Sequence, residues 1–224
     1  MNPVLRTLAL SMALSSAGAA SAQSLVPPGE VVIHVNSDVR STEFVEPLVC
    51  ELAKVVHAPV RARKIDIALT NDLIEAGRQF SPRKIAPRLW AATAGESELQ
   101  NPFRYLILDH DLTVPQLNYV FAETYMPPLS VISVARLAPN VEPQAAKKAA
   151  IEITLPRVYK LMLKSVAVMA GLRSSGCVMS FPRSLAELDA KPSEYCPDDR
   201  AALVAARVIK ETPSATCANV VAAR

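Results

Sequence analysis

Histidine and cysteine, which most often bind zinc in proteins, are few in this chain: the 224 residues include three histidines and four cysteines. The histidines, His34, His57 and His110, are far apart, and none is paired at the spacing of four that places two ligands on one helix face. We therefore expect surface or strand histidines rather than a three-histidine metal site. A serine hydrolase is disfavoured because the chain has no G-x-S-x-G elbow. Nothing places Cys177 beside a histidine for a cysteine hydrolase.

The four cysteines are Cys50, Cys177, Cys196 and Cys217. None has the C-x-x-C spacing of a redox motif or a zinc knuckle. An even number of cysteines favours disulfides if the compartment is oxidising, and four cysteines allow three pairings.

The first 22 residues have the pattern of a secretory signal peptide. Arg6 gives the positive start, residues 8–14 are apolar, and residues 20–22 (Ala-Ser-Ala) form a cleavage site that makes Gln23 the first mature residue. An uncleaved anchor is the alternative, but the apolar stretch is short for a bilayer, and no later segment has ~18 uninterrupted apolar residues. We therefore expect a periplasmic or secreted protein with no membrane span after cleavage.

The composition indicates one globular domain that does not bind nucleic acid. The chain has 24 basic and 21 acidic residues, a net charge of +3, and 50% hydrophobic residues. Nucleic-acid binding would call for a clustered basic stripe. In the second predicted strand, the basic residues Arg61, Arg63 and Lys64 are expected to face solvent.

Hydrophobic patterns predict strands that alternate with helices, followed by a helical tail. A proline-containing helix is expected to break at Pro156, and Gly171 is expected to end the apolar helix that follows. Ser184 is expected to cap another short helix. The predicted strands cover residues 31–35, 60–69, 103–108, 119–122 and 129–134. The predicted helices cover residues 41 or 42 to about 57, 82–94, 143 to the break, about 157–170 and 198–210.

The segment of residues 164–181 is similar to the zinc-binding region of the archaemetzincin family. Members of that family carry H-E-x-x-H-x-x-G-L-x-H, then a stretch ending in C-x-M, then C-P-x-C. Gly171 and Leu172 match the glycine turn, residues 176–179 match the methionine turn, and residues 195–197 match the start of the last segment. Residues 111–123 and 132–137 resemble two further blocks, so the resemblance covers roughly residues 30–205.

The resemblance implies an α/β (α+β) fold with a metzincin-like twisted mixed sheet, packed helices and a small C-terminal lobe. We expect a single domain over residues 23–224, with an upper part at about 30–171 and a lower lobe at about 172–224. Met179 would then belong to the structural methionine turn beneath the site.

The resemblance also implies where the metal ligands would lie, and other residues occupy those positions. In the family, three histidines bind zinc and a glutamate acts as the general base. The ligand positions here are Lys164, Val168 and Ser174, and the base position is Ser165. An ammonium repels a dication, valine has no donor atom, and a hydroxyl is a poor zinc ligand. We therefore expect no catalytic residue at these positions and no zinc cofactor.

The family's second zinc site has four cysteines. Its positions here are Ser175, Cys177, Cys196 and Asp199. Two thiols remain, and in an oxidising compartment a Cys177–Cys196 disulfide is favoured, which leaves Cys50 and Cys217 to pair. Two free buried thiols are the alternative.

The leading hypothesis is a noncatalytic pseudopeptidase whose cleft binds an unidentified peptide or protein, because an edge strand can pair with an extended peptide. Lys164 could attract a peptide carboxylate, but a solvated or salt-bridged lysine at the helix edge, in one polar stripe with Lys160, is favoured. The alternatives are an active hydrolase with a relocated metal site or a nonmetal mechanism, and a structural envelope protein with a filled cleft.

Overall fold

The computed structural model of the protein describes residues 24–96 and 99–217. The predicted signal peptide, residues 1–22, lies outside the described residues. The division into an upper part and a lower lobe stays a prediction.

The core of the described chain is one mixed sheet. Four strands run parallel in the order β2-β1-β5-β7, and β6 is added antiparallel to β7 at the edge. A small antiparallel hairpin, β3–β4, lies outside this sheet. The described strands are β1 (Val31–Asn36), β2 (Val60–Ile65), β3 (Ile74–Ala76), β4 (Gln79–Phe80), β5 (Phe103–Leu108), β6 (Ala122–Tyr125) and β7 (Leu129–Ser133).

Helices cover both faces of the sheet, which is why β1 and β5 are buried along their whole length. On one face, Tyr105 and Ile107 of β5 pack with the residues of α1 and α4. On the other face, Leu106 and Leu108 pack with those of α2. The described helices are α1 (Val45–Val55), α2 (Pro82–Ala92), α3 (Pro143–Ala149), α4 (Leu155–Met169), α5 (Leu185–Ala190) and α6 (Pro197–Ala205). The predicted fold class is confirmed.

Several predicted boundaries are wrong. The first helix begins at Val45, and its N-cap is Phe44, with no side-chain cap from the preceding serine or threonine. The edge strand is Ala122–Tyr125 rather than residues 119–122, and the last helix ends at Ala205. The second strand ends at Ile65, although the alternation of apolar residues continues beyond it.

The predicted break at Pro156 is also wrong. A π-helical turn, Ala150–Thr154, joins α3 directly to α4. Pro156 lies in the first turn of α4. A proline is tolerated there, because the N–H groups of a first turn have no partner within the helix.

Arg61 is buried rather than solvated, which corrects the prediction for the second strand. Its side chain donates from Nε and Nη2 to the two carboxylate oxygens of Glu30, at 2.9 and 3.1 Å. Arg61 is 7% exposed. The ion pair allows this burial, since an unpaired charge would be costly away from water. Lys64 is exposed, as predicted, and Arg63 is half-buried.

Two disulfides are present, and both match the predicted pairing. Cys50 of α1 is bonded to Cys217, with 5.0 Å between their Cα atoms. Cys177 is bonded to Cys196, with 5.4 Å between their Cα atoms. Among the described residues, no helix is long and apolar enough to cross a membrane.

Candidate functional site

The C-terminal end of α4 reverses the chain through a glycine. Gly171 has a φ of +100°, a conformation that residues with a Cβ rarely adopt. The Leu172 N–H donates to the Ala167 carbonyl at 2.9 Å, and the Gly171 N–H donates to the Val168 carbonyl at 3.0 Å. These two bonds form a Schellman motif, which satisfies the last carbonyls of the helix. The structure therefore places Gly171 at the end of the helix.

A tight 3-10 turn, Cys177–Met179, packs beneath α4. The Met179 side chain is 2% exposed and belongs to the core that includes α4. The Val178 N–H donates to the Glu194 carbonyl, and the neighbouring disulfide links the turn to Cys196. A Cβ on Gly176 would lie 2.9 Å from the Cys196 Sγ, so this bridge requires a glycine at that position.

An open cleft of about 540 Å³ lies between the edge strand and α4. The loop before β6 and the first half of β6 form one wall, α4 forms the floor, and residues 181–183 form the far side. The Tyr119 hydroxyl donates to the Arg183 carbonyl at 2.8 Å, which joins the two walls at one place. The filled cleft expected of a purely structural protein is not observed.

Lys164 lies in this cleft, half-buried. Its Nζ is 5.2 Å from the centroid of the Phe181 ring, within the range of a cation–π interaction. Burial lowers the pKa of Lys164, and the opposite charge of Glu123 partly counteracts that effect. Burial raises the pKa of Glu123. Glu123 and Phe181 were not predicted as site residues, because their position in the cleft depends on the edge strand and on the loop after the methionine turn.

Ser165 is held in a buried network of hydroxyl groups. Its Oγ donates to the Leu161 carbonyl at 3.0 Å and accepts from Thr124 Oγ1 at 3.0 Å. The Ser130 Oγ lies 3.1 Å from the same atom. Ser165 is 2% exposed, so this hydroxyl links α4 to β6 and β7. The position of the family's general base is therefore a structural contact between helix and sheet.

Val168 and Ser174 occupy the other two ligand positions. Val168 lines the cleft, where it provides apolar surface. Ser174 lies beyond the glycine turn, and its Oγ donates to Asp199 Oδ2 at 2.6 Å. This hydrogen bond joins a ligand position of the family's first zinc site to a ligand position of its second zinc site. Both oxygens therefore already have a partner within the chain. Ser175 is exposed.

Two further lysines lie near Lys164. Lys191 is 5% exposed, and its Nζ donates to the Ser180 carbonyl at 2.9 Å. Burial, together with the charges of Lys164 and Lys160, lowers the pKa of Lys191 to about 8. Lys160 donates to the carbonyls of Leu188 and Asp189, at 3.0 and 2.7 Å. The solvated lysine stripe that was predicted is therefore wrong, because these ammonium groups belong to a partly buried cluster.

The three histidines are separate from the cleft and from one another. His34 is 1% exposed and bonds Glu96 and the Tyr105 carbonyl, and burial lowers its pKa. His110 lies 3.4 Å from Asp38, and His57 is exposed. The described residues contain no group of three or more histidine, cysteine, aspartate or glutamate side chains arranged to hold a metal ion.

Comparisons with known proteins agree with the resemblance seen in the sequence. No protein-family model matches the chain. An archaemetzincin from Natronomonas pharaonis is 35% identical over 94 residues. The match covers 40% of this chain and 54% of that protein, so it spans about half of the relative's length.

Solved structures extend the likeness to most of the chain. An archaemetzincin from Methanopyrus kandleri is 26% identical with a TM-score of 0.57, over 78% of this chain and 94% of that one. An archaemetzincin from Archaeoglobus fulgidus, complexed with malonate, is 22% identical with a TM-score of 0.57, over 77% and 99% of the two chains. A zinc-dependent peptidase from Methanocorpusculum labreanum is 19% identical with a TM-score of 0.61, over the same shares.

The chain is similar to archaemetzincins, in sequence over part of its length and in fold over most of it. This finding corrects the prediction about the cofactor. The sequence predicted no zinc, whereas the relatives include a zinc-dependent peptidase and point to zinc as the cofactor. That prediction is therefore wrong.

The side chains at the family's ligand positions do not fit a zinc ion. Zinc in proteins is bound by imidazole, thiolate and carboxylate groups, and Lys164, Val168 and Ser174 offer an ammonium, a hydrocarbon and a hydroxyl. The Ser174 hydroxyl is already bonded to Asp199. No catalytic step through a metal follows from these residues. That these four positions lack any catalytic role stays a prediction.

Proposed function

We propose that this chain is an extracytoplasmic protein that binds peptides in the cleft between β6 and α4 and does not hydrolyse them. The observation that carries the proposal is Ser165. Where hydrolysis would need a base in contact with water, the chain has a hydroxyl that is 2% exposed and bonded to helix and sheet. Peptide binding without hydrolysis does not depend on whether the protein contains zinc.

The edge strand supports peptide binding. β6 is the last strand of the five-stranded sheet, so the side away from β7 has no neighbouring strand in that sheet. Residues of β6 and of the loop before it line the cleft. Such an edge presents backbone N–H and C=O groups that an extended peptide can pair with. The main chain of the ligand would therefore lie along β6.

The cleft also offers apolar surface for the ligand's side chains. Val168 of α4 lines it, and Phe181 stands at its rim with 51% of its surface exposed. An exposed aromatic ring beside an open groove is typical of a surface that binds a partner. The remaining exposure of these residues would fall when a peptide is bound.

The disulfides and the first 22 residues support an extracytoplasmic location. Disulfides persist in oxidising compartments and are rare in the cytosol of most organisms. Two disulfides are present: Cys50–Cys217 joins positions 167 residues apart, and Cys177–Cys196 joins positions 19 residues apart. The signal-peptide pattern would direct the protein to such a compartment.

A second candidate is a zinc peptidase whose ligands come from other positions of the chain. The zinc dependence of a relative favours it, and so does the presence of a carboxylate, Glu123, in the cleft. This candidate predicts peptide cleavage that a chelator stops. A cleavage assay on the purified secreted protein, with and without a chelator, separates the two candidates.

Binding is tested with a degenerate heptapeptide library in equilibrium dialysis against the mature protein. We expect retention of extended peptides and a loss of about tenfold in affinity for Phe181→Ala, typical of an aromatic contact. Ile151→Ala, which shortens another exposed apolar side chain, is the control and should bind like the wild type. Equal dialysis of the library with and without protein would contradict the proposal.

A restoration experiment tests the assignment of the four positions. The variant Lys164→His, Ser165→Glu, Val168→His and Ser174→His recreates the family's ligand and base set on the same helix and turn. We expect it to retain zinc through gel filtration at about one ion per chain above the wild-type content. If the folded variant, checked by circular dichroism, gains no zinc, the assignment of these positions is wrong.

A further inference from the structure

The side chains that line the cleft carry more positive than negative charge. Lys164 and Arg183 line it, and Glu123 is the acidic residue among the described lining residues. Lys160 and Lys191 lie close enough for their charges to act on each other and on this group. The floor of the cleft therefore favours a ligand that brings a negative charge.

The nearby carboxylate of Asp189 offsets only part of this excess, because its charge acts on Arg157 and Lys160. It accepts from Nε and Nη2 of Arg157, both at 2.7 Å, and is thus already paired. Both nitrogens belong to one planar guanidinium, which is the strongest arrangement for a carboxylate. The positive charge of Lys164 remains available to a ligand.

Of the three lysines, Lys164 has donors to spare. Lys191 and Lys160 donate to backbone carbonyls. Within the described part of the chain, the Lys164 ammonium lies beside the Phe181 ring and is close enough for Glu123 to act on its charge, but it forms no hydrogen bond to an acceptor. An ammonium with three N–H donors in a half-buried cleft is a site for an oxygen anion.

We propose that Lys164 binds the free α-carboxylate of a peptide C-terminus, so that the cleft captures chain ends rather than internal segments. This inference rests on the proposed peptide-binding function. Glu123 faces the same space, and its charge disfavours a doubly charged phosphate more strongly than a singly charged carboxylate. The last side chain of the ligand would lie against Val168 and Phe181, which favours an apolar final residue.

Lys164 stands at the position that the family pattern assigns to the first zinc ligand. Here a fixed positive charge stands on the helix at the same place. Charge-assisted hydrogen bonds from an ammonium to a carboxylate are about twice as strong as neutral ones, so the end group dominates the recognition.

The experiment uses three libraries that share one degenerate set of heptapeptides without acidic residues. The last residue is leucine, except in the third library, where glutamate replaces it. The first has a free carboxylate, the second a C-terminal carboxamide, and the third a carboxamide with glutamate as its last residue. We expect the free acid to bind about tenfold more tightly than the carboxamide, as one charged hydrogen bond predicts. The glutamate carboxamide should bind like the plain carboxamide.

Lys164→Met removes the charge with little change in side-chain length. It should lower the affinity for the free acid to that for the carboxamide and leave the carboxamide unaffected. Lys148→Met, at an exposed lysine on α3, is the matched control and should preserve the tenfold preference.

The outcomes separate the inference from the function on which it rests. Equal binding of free acid and carboxamide overturns carboxylate recognition and leaves peptide binding intact. Tight binding of the glutamate carboxamide assigns the anion to a side chain, which also overturns the proposal. Absence of binding in all three arms contradicts the proposed function itself. Equal loss of both ligands in Lys164→Met shows that the lysine does not recognise the carboxylate.

Discussion

Two neighbouring regions of the molecule differ in what they have kept. The turn region, Gly171 and residues 176–179, has the glycine geometry, the buried methionine and the short turn expected of an archaemetzincin homologue. The helix region, Lys164 to Val168, has the same helical frame but different chemistry on its cleft side. The two regions are in contact, so one fold supports both.

The difference shows that packing and chemistry place separate demands on the same segment. The turn region is fixed by a positive φ, by core burial and by a disulfide. These features stabilise the fold whether or not the protein catalyses a reaction. The helix region faces a cleft, where a side chain can change without loss of core packing. Ser165 shows the exchange most clearly, because its hydroxyl is bonded into the core from the position of the base.

The largest expected effect is the loss of the methionine side chain from the turn region. Met179→Ala removes a side chain that is 2% exposed and should lower the free energy of unfolding by about 3 kcal/mol, because a cavity remains. Met126→Ala, at a methionine that is 67% exposed, is the matched control and should change stability by less than about 0.5 kcal/mol. Urea denaturation measures both. Similar losses for the two variants would mean that the turn does not support the core.

Gly171→Ala should be the next most costly change. A Cβ at a φ of +100° strains the backbone, and we expect a loss of about 1–2 kcal/mol in the free energy of unfolding. Gly171→Asn should cost less, since asparagine tolerates positive φ better. The same urea experiment checks the order of the two variants. Equal stability of wild type and Gly171→Ala would show that the helix end does not require this conformation.

The hydroxyl network predicts a smaller effect with a specific coupling. Ser165→Ala should lower stability by about 1 kcal/mol, the usual net contribution of a hydrogen bond. Thr124→Val removes the donor on β6, and the double variant should lose less than the sum of the single variants. A double-mutant cycle measures this coupling. Strict additivity would show that the serine is not part of a network between helix and sheet.

The lysine cluster predicts a pH dependence of stability. Burial and the neighbouring charges lower the pKa of Lys191 from its usual 10.5 to about 8. Between pH values of about 8 and 10.5, Lys191 is protonated to a larger extent in the unfolded chain than in the folded chain. Its contribution to the free energy of unfolding of the wild type therefore rises with pH. In Lys191→Met this rise should be smaller, because Lys160 and Lys164, whose pKa values burial also lowers, keep their contributions. Urea titrations at pH 7 to 10 test it, with Lys148→Met as the control.

Parallel pH curves for the wild type and Lys191→Met would contradict the lowered pKa. A curve that rises more steeply for Lys191→Met than for the wild type would reverse its sign. In either case Lys191 would not belong to a buried cationic cluster, and the positive charge of the cleft floor would depend on Lys164 and Arg183.

Parts of the fold that depend on local pattern could be predicted from the sequence. The apolar run of β5 and the glycine after α4 each carry a local signal that the structure reproduces. The two disulfide pairs were predicted from the resemblance and the compartment rather than from spacing. Local patterns do not predict which distant residue each side chain contacts in the folded chain.

Three misses have that cause. The alternation of β2 predicts an exposed Arg61, but the acid that allows its burial, Glu30, lies at the start of another strand. A proline in a helical stretch predicts a break, but the π-helical turn before Pro156 keeps the helix continuous. The hairpin β3–β4 has strands of three and two residues, too short for a periodic signal.

The cleft shows the same limit at the candidate site. The sequence identified Lys164, Ser165, Val168 and Ser174, because the family pattern assigns them by position. It did not identify Glu123, because that residue reaches the cleft through strand pairing with β7. The predicted absence of zinc was wrong for a related reason, since it argued from the four positions alone and the relatives point to zinc.

The most direct test of the central claim is a cleavage measurement on the peptide library. The mature protein, purified from the secreted fraction, is incubated with equimolar zinc and the degenerate heptapeptides, and the products are analysed by mass spectrometry. Our account predicts that the peptides are retained by the protein and recovered at full length. New peptide termini whose formation stops on addition of a chelator would contradict it and would identify the protein as an active zinc peptidase.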